Sequence, residues 1–334
     1  GRTRLQQEWR ATLAFWRSQG WTLDRLDLEC RVYSHYGLNN LHGKVLLVDD
    51  REGVLTTGNV ERESDGRKHT WVDAGVWWTH RGWTVEAREH FMPYWLKAEV
   101  LQSDRATTAR VPAGVPLLDE TGSTVPFAAL DAPLWFRTAV PGRLHVKHSG
   151  FNLGRWNSKA SAQLQTLLQE VGQAEERIDL VSPTFNLEVL WQALVERCVQ
   201  RPGLRVRLLV TWEFNVSHPT LQQYVLGYPL NRTFLATRWQ HPQIEWRWVV
   251  TEAGHKAHRH GGGVVHAKLF LVDQRYGCLT SFNLDTWSEH HSEELGLSFY
   301  DAPLIMFWRQ HLVDPQWHRA EPVNSANLEE RVSS

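Results

Sequence analysis

Cysteine is scarce: Cys30, Cys198 and Cys278 are the three in 334 residues, an odd number with no CxxC spacing. A disulfide framework or a cysteine-bound zinc site is therefore not expected, and the thiols read as buried side chains of strands and a helix. No apolar run reaches the roughly eighteen residues a membrane-crossing helix needs, and no signal peptide is visible. The chain starts with Gly, not Met, so its N-terminus says nothing about targeting. Neither charge sign dominates: 36 basic residues against 37 acidic give a formal charge of −1. Bulk attraction to nucleic acid is excluded, although a local basic groove can hide within a balanced total. GxxxxGK[ST] and GxSxG are also missing, which removes the footing for nucleotide hydrolysis and serine-esterase chemistry. Tryptophan is abundant instead, with eighteen in all, among them Trp77, Trp78, Trp83 and Trp95. Their place within periodic segments favours the core over a membrane interface. With 42% hydrophobic residues, the length suits one large or two medium domains.

One stretch occurs twice. Leu41 to Asp49 reads LHGKVLLVD and is followed by Asn59; Val265 to Asp273 reads VHAKLFLVD and is followed by Asn283. His42 and His266, Lys44 and Lys268, Asp49 and Asp273, and Asn59 and Asn283 are each separated by 224 positions, as are Gly53 and Gly277. Two related halves are implied. Within each copy the apolar run reads as a buried strand, so His and Lys, two apart, share a face. The Asp, an odd step away, falls on the other face, in a supporting place. A short polar segment ending in Gly53 or Gly277 suits a hairpin loop with that Gly in the left-handed conformation. Folding there brings Asn beside His.

An imidazole, an ammonium and a carboxamide held together suit a phosphate diester. A neutral imidazole attacks phosphorus, while Lys and Asn donate to the non-bridging oxygens as charge builds. Two copies supply two histidines, one as nucleophile and one as general acid, exchanging proton roles when water or an alcohol attacks the phospho-histidine. The plain rival is two ordinary strands that happen to carry His and Lys.

These residues resemble the phospholipase D superfamily, whose motif is His-x-Lys, four residues, Asp, six residues, Gly-Ser-x-Asn. His42, Lys44, Asp49 and Asn59 fit the first copy, and His266, Lys268, Asp273 and Asn283 the second; Thr56-Thr57 and Thr280-Ser281 replace Gly-Ser and keep a hydroxyl. Trp71-Val72-Asp73 and the segment Asn283 to Leu297, including Ser292-Glu293-Glu294, resemble the cardiolipin synthase-like branch. Trp287 stands where Arg is usual there and Ser292 where Asn is usual. The resemblance implies an α/β fold of two pseudo-symmetric α/β/α halves with one active site at their interface, no metal and no cofactor. It implies that His42, Lys44, Asp49, His266, Lys268 and Asp273 form the catalytic set, with Lys44, Asn59, Lys268 and Asn283 on the phosphate. Glu294 takes the acidic position that orients a catalytic His, and Asp73 is expected to orient the first His, or else to cap a turn. By analogy His42 is the nucleophile and His266 the acid.

Along the chain, residues 1–101 read as the first half, 102–142 as a Pro-, Gly- and Ser/Thr-rich linker, 143–320 as the second half and 321–334 as a tail. Helices are expected at Leu5–Gln19, Val85–Ala98, Ala160–Gln173, Leu187–Gln200 with Asn186 as its cap, and Leu304–Leu312. Strands are expected at Leu26–Tyr33, Ile178–Ser182, Leu204–Val210 and Ile244–Val250. Only 41 residues precede His42, too few for the strand–helix–strand that opens the second half, so the first half reads as N-terminally truncated. His145-Val146-Lys147 lacks the following Asp and Asn and reads as a strand edge. His255, His258 and His260 lie in a Gly-flanked loop, and His290-His291 add to a His-rich region; the spacing is unspecific for zinc.

The expected activity is phosphodiester hydrolysis or phosphatidyl transfer on a phospholipid, with water or an alcohol as acceptor. Peripheral contact with a membrane, or a cytoplasmic location, accompanies that reading. A nuclease of the same superfamily and an inactive phosphoester-binding protein are the alternatives.

Overall fold

The computed structural model describes residues 28–32, 40–57, 71–97, 99–104, 142–147, 160–212, 230–250 and 264–329, with 10, 14 and 18 besides. The chain falls into two compact units, residues 1–36 with 89–135, and residues 37–88 with 136–334. The strands are β1 (Leu28–Val32), β2 (Asn40–Leu41), β3 (Val45–Val48), β4 (Glu52–Thr56), β5 (Trp71–Val72), β6 (Gly75–Trp78), β7 (Glu99–Asp104), β8 (Gly142–Lys147), β9 (Arg177–Val181), β10 (Arg205–Val210), β11 (Ile244–Trp248), β12 (Val264–Val265), β13 (Leu269–Val272), β14 (Tyr276–Thr280), β15 (Ser292–Phe299) and β16 (Glu321–Pro322). The helices are α1 (Arg81–Lys97), α2 (Ala162–Val171), α3 (Glu188–Gln200), α4 (Asn231–Leu235), α5 (Thr286–His291), α6 (Ala302–Trp308), α7 (Asp314–Arg319) and α8 (Ser325–Glu329). In the smaller unit β1 pairs antiparallel with β7. Among the described residues no helix is long and apolar enough to cross a membrane.

The mixed α/β architecture expected from the sequence is present. In the larger unit a sheet runs β16-β11-β10-β9-β13-β14-β15-β2, with β8 also on β15. β9, β10 and β11 are parallel, and α3 supplies the crossover that a parallel β9–β10 pair requires. β13 then enters antiparallel between β9 and β14. Alternation along β13 divides the core: Phe270 and Val272 pack with Leu164, Leu167, Leu190 and Leu194 of the α2–α3 layer. Leu269 and Leu271 pack with Leu304, Ile305, Leu312 and Trp317 on the opposite layer. Every residue of β13, β14 and β15 is buried. At about 1.5–3 kcal/mol for each large apolar side chain withdrawn from water, burial of these strands contributes strongly to holding the second motif in place.

The first motif sits in a smaller sheet, β3-β4-β6. Its inward face joins Leu55, Trp78 and Ala87 to Leu144, Leu295 and Leu297, which fixes the first hairpin against β8 and β15. Its outward face is bare: Leu46 is 61% exposed and Val48 46%, whereas the residues 224 positions later, Phe270 and Val272, are 0% exposed. Among the described residues β3 pairs with β4 alone, while β13 is flanked on both sides.

Several details of the fold differ from what the sequence suggests. Gly53 and Gly277 are not the left-handed residues of the turns; Asp49, Asp50 and Asp273 are, with φ of 51°, 54° and 53°. The glycines are required for another reason, since a Cβ on Gly53 would lie 2.3 Å from the Trp78 ring and one on Gly277 2.1 Å from the Phe299 ring. Asn186 does not cap α3: its Oδ1 accepts from the Thr286 backbone N–H at 2.8 Å and pins the segment beyond the second motif. The C-terminal helix is α6, capped by Asp301, followed by a π-helical turn at Arg309–Val313 and then α7. Residues 321–329 are not a tail, because β16 pairs with β11 and Asn327 Oδ1 accepts from the Trp248 indole at 3.0 Å. Leu5–Gln19 and most of 102–142 lie outside the described residues.

Candidate active site

Each motif histidine follows a two-residue strand. β2 pairs in parallel with the start of β15, setting Leu41 opposite Glu293; β12 pairs in parallel with β5, setting Val265 opposite Val72. The residue after each pair is a histidine on one side and an acid on the other, so His42 is brought to Glu294 and His266 to Asp73. Nδ1 of His42 lies 3.2 and 3.1 Å from the two oxygens of Glu294. Nδ1 of His266 lies 2.8 Å from Asp73 Oδ1. A carboxylate only accepts, so each ring carries hydrogen on Nδ1 and Nε2 is the nitrogen that would meet phosphorus.

Asp73 thus serves the second histidine, not the first as the sequence suggested. The reason is the parallel β5–β12 pairing, a contact between segments far apart in the chain that local spacing does not encode.

Two hydroxyls secure the acids. Thr57 Oγ1 donates to Asp73 Oδ1 at 2.8 Å, and Ser281 Oγ donates to Glu294 Oε2 at 2.5 Å. The same hydroxyls accept from the backbone N–H of Ala74 and Leu295, at 2.9 and 3.0 Å. Sequence reasoning noted a retained hydroxyl at these positions without giving it this task. Asp285 was also missed: its carboxylate caps α5 at the Ser288 N–H and accepts from Thr184. Its charge bears on Lys268.

The lysines repeat the pattern, Lys44 Nζ donating to the His42 carbonyl at 2.7 Å and Lys268 Nζ to the His266 carbonyl at 2.6 Å. Lys268 is wholly buried, and burial together with the nearby Lys44 charge holds its pKa well below that of an ordinary lysine. Burial, and then the Lys268 charge, lower His266 to about 4, so its imidazole is neutral near pH 7. Burial works to raise Asp73, but the hydrogen bond and charge of His266, the Thr57 hydroxyl and Lys268 outweigh it, and the carboxyl is held below its usual value. Asn283 is buried, and its Oδ1, like Asp73 Oδ2, has no partner among the described residues. These oxygens are polar capacity that a bound donor would take up.

Asp273 and Asp49, counted with the catalytic set from sequence, stand apart. The Asp273 carboxylate accepts the backbone N–H groups of Glu175, Glu176 and Arg177 at 2.9, 2.9 and 2.8 Å. It clamps the hairpin tip to the start of β9, with Arg309 donating to its carbonyl at 2.6 Å. Seven residues of extended chain put it about 20 Å from His266. Asp49 is exposed in the equivalent turn. Asn59 and the loop with His255, His258 and His260 lie outside the described residues, as do the side chains of His145 and Lys147. The backbone of those last two pairs with β15 opposite Gly296 and Glu294. His290 and His291 fall on α5, and among the described residues no cluster of three metal-ligating side chains forms.

Comparison with solved structures returns phosphatidylserine synthase from Haemophilus influenzae Rd KW20, 16% identical with a TM-score of 0.50, covering 85% of this chain. The chain spans 63% of that protein's length. It also returns Nuc, a phospholipase D family member from Salmonella typhimurium, 15% identical with a TM-score of 0.38, covering 55% of this chain and 99% of its own. NucT from Helicobacter pylori is 13% identical with a TM-score of 0.39, covering 55% and 99%. Comparison with the curated proteins finds no match. At such identity the phosphatidylserine synthase speaks for the fold alone, one built on a mixed sheet flanked by helices. The family model described as "Cardiolipin synthase, PLD-like domain" matches residues 167–313, the span that contains β13, β14 and β15, and over that span the chain is similar to the phospholipase D superfamily.

Proposed function

We propose that the protein cleaves phospholipid phosphodiesters through a phospho-histidine, passing the phosphatidyl group to water or to an alcohol. Members of the superfamily are phosphodiesterases or phosphatidyltransferases. The observation that carries the reading to this chain is the reciprocal bracing of His42 by Glu294 and His266 by Asp73. Each acid sits on the segment that pairs with the other motif's strand, which supports one shared site in place of two. The charges of Lys44, Asp73 and Glu294 all bear on Lys268, as expected of groups gathered around one anion.

In this reading Lys44, Lys268, Asn59 and Asn283 stabilise the non-bridging oxygens as negative charge grows. One imidazole forms the bond to phosphorus, and the other protonates the departing oxygen and later deprotonates the acceptor. A phospholipid is preferred as substrate on the likeness of the matched domain to the cardiolipin synthase group and on the segments around Asp73 and Glu294. Contact with the membrane is then peripheral.

The test is an assay with phosphatidylglycerol and phosphatidylcholine vesicles, with chelator present and single-stranded DNA as a parallel substrate. Release of head group or exchange onto added alcohol is expected, lost on replacing either histidine by Ala. Full activity in His42→Ala or in His266→Ala overturns the two-histidine mechanism, and cleavage of DNA alone overturns the substrate.

A further inference from the structure

We propose that Asn231, which lies in neither motif, is a positioning residue that sets His266 and Asn283 in register with each other. The inference rests on the reading of the site as a phosphodiester-cleaving centre. β9 and β10 run parallel and side by side, so the chain leaves both at the same end. Past Val181 and Val210 the regular ladder stops, and Pro183 has no N–H with which to extend it. Pro183 and Thr211 are nevertheless buried, and their carbonyls need donors from elsewhere.

Asn231 closes that gap. Its Nδ2 donates to the Pro183 carbonyl at 2.9 Å and to the Thr211 carbonyl at 2.7 Å, while its Oδ1 accepts from the Phe185 N–H at 2.8 Å. Two carbonyls on one side and an N–H on the other fix which way the amide faces. The short helix that carries it is anchored in turn: Phe234 and Leu235, three and four positions on, share its face and pack in the core. The Phe234 ring lies 5.8 Å from that of Phe185, and Asn231 itself is buried.

Two hydroxyls carry this lock to the motif. Thr211 Oγ1 donates to the Val265 carbonyl at 3.2 Å, holding the peptide bond that leads into His266. Ser182 Oγ accepts from the Leu284 N–H at 3.1 Å, holding the peptide bond that leaves Asn283. Ser182 also donates to the Thr184 carbonyl at 2.7 Å, and the Asn186 N–H donates to the Leu284 carbonyl at 2.9 Å. The segment after β9 and the segment after the motif are thereby laced side by side, with Phe185 bridged to Leu284. One hydroxyl at each strand end thus grips one side of the second motif, and Asn231 ties the two strand ends together. It acts through Thr211 and Ser182 and takes no part in the chemistry itself.

The test compares Asn231→Ala with two variants of conserved shape that each cut one link, Thr211→Val and Ser182→Ala. A misplacement of about 1 Å from a change away from the reacting groups can cost about 10²-fold in rate. In Asn231→Ala, kcat on phospholipid vesicles per folded molecule is expected to fall about 10- to 100-fold while KM changes by less than about threefold. Nitrogen NMR reads the two routes separately. Thr211→Val should move the His266 imidazole signals, Ser182→Ala the Asn283 side-chain amide, and Asn231→Ala both, with His42 unmoved in all three. Should Asn231→Ala fail to fold, the two hydroxyl variants carry the comparison, with the same shifts and kcat lowered about three- to tenfold. Reduced stability with kcat unchanged and the His266 and Asn283 signals unmoved overturns the positioning role. A wild-type protein that turns over no phosphodiester overturns the activity reading instead, and the NMR shifts still judge Asn231: unmoved signals overturn it there too.

Discussion

Asp73 accepts a hydrogen bond from His266, 193 residues further along the chain, and the matching acid Glu294 holds His42 across 252 residues. Each acid therefore governs the imidazole of the other motif. Asp73→Asn removes the charge and offers either a donor or an acceptor, so the His266 ring is free to adopt the wrong tautomer. Loss of an orienting carboxylate in triad enzymes costs up to about 10⁴-fold in rate. Asp73→Asn and Glu294→Gln are each expected to slow turnover by about 10²- to 10⁴-fold. Imidazole nitrogen NMR checks the crossing: Asp73→Asn should move the His266 signals and spare those of His42, and Glu294→Gln should do the reverse. Movement of the ring in the same half would contradict the crossed arrangement.

Stability should depend on pH through His266. Its folded pKa, about 4, lies below the 6.5 of an unperturbed imidazole. The unfolded chain therefore binds the proton first, and stability is full above about pH 6.5 and is lost as pH falls toward 4. For one such group the loss is at most roughly 3 kcal/mol. Among the described residues Asp73, Lys268 and Lys44 bear on the ring. Asp73 is held below 3.8 and adds its own loss only at still lower pH. Urea midpoints measured between pH 7 and 4.5 should fall steeply for the wild type and less steeply for His266→Gln. Parallel curves would mean that the His266 ring charges as easily folded as unfolded.

The paired glycines give a purely steric test. A Cβ on Gly277 would enter the Phe299 ring and one on Gly53 the Trp78 ring, at 2.1 and 2.3 Å. Overpacking of this kind costs about 1–3 kcal/mol. Gly277→Ala and Gly53→Ala should each lower the denaturation midpoint, and Phe299→Leu or Trp78→Leu in the same background should recover part of the loss. Were backbone conformation the cause, trimming the ring would recover nothing.

Much of this was legible in the sequence because it is local. The apolar runs Val45–Val48 and Leu269–Val272 become β3 and β13, and the 224-residue offset of His42 and His266 carries through to the strand pairs that precede them. What was misread depends on the third dimension. Gly277 looks like a turn residue until Phe299 is seen above it, and Asn186 looks like a cap until Thr286, 100 residues on, is found bonded to it. The crossing of Asp73 to His266 follows from the register of two-residue parallel strands, which have no periodicity to detect. Residues 321–329 looked like a tail because two residues of strand and a five-residue helix leave no pattern, yet Asn327 bonds the buried Trp248.

The motif aspartates are identical in sequence and unlike in place. Asp273 satisfies three backbone N–H groups at the start of β9 while itself held at φ 53°. Charge-assisted bonds of this type contribute about 1.5–3 kcal/mol each when their loss leaves donors unpaired, though these donors lie partly near solvent and water would replace some of that. Asp273→Ala is therefore expected to destabilise the protein by about 2–4 kcal/mol. Asp49 is exposed in its turn and is itself held at φ 51°, so Asp49→Ala should cost only the backbone strain of that conformation, about 1 kcal/mol. Since neither carboxylate reaches an imidazole, the folded fraction of each variant should keep the pH–rate profile of the wild type, measured at a temperature where Asp273→Ala remains native. A profile shifted in Asp273→Ala at full folding would place that aspartate within electrostatic reach of the reacting groups, against the clamp role that its three backbone partners assign it.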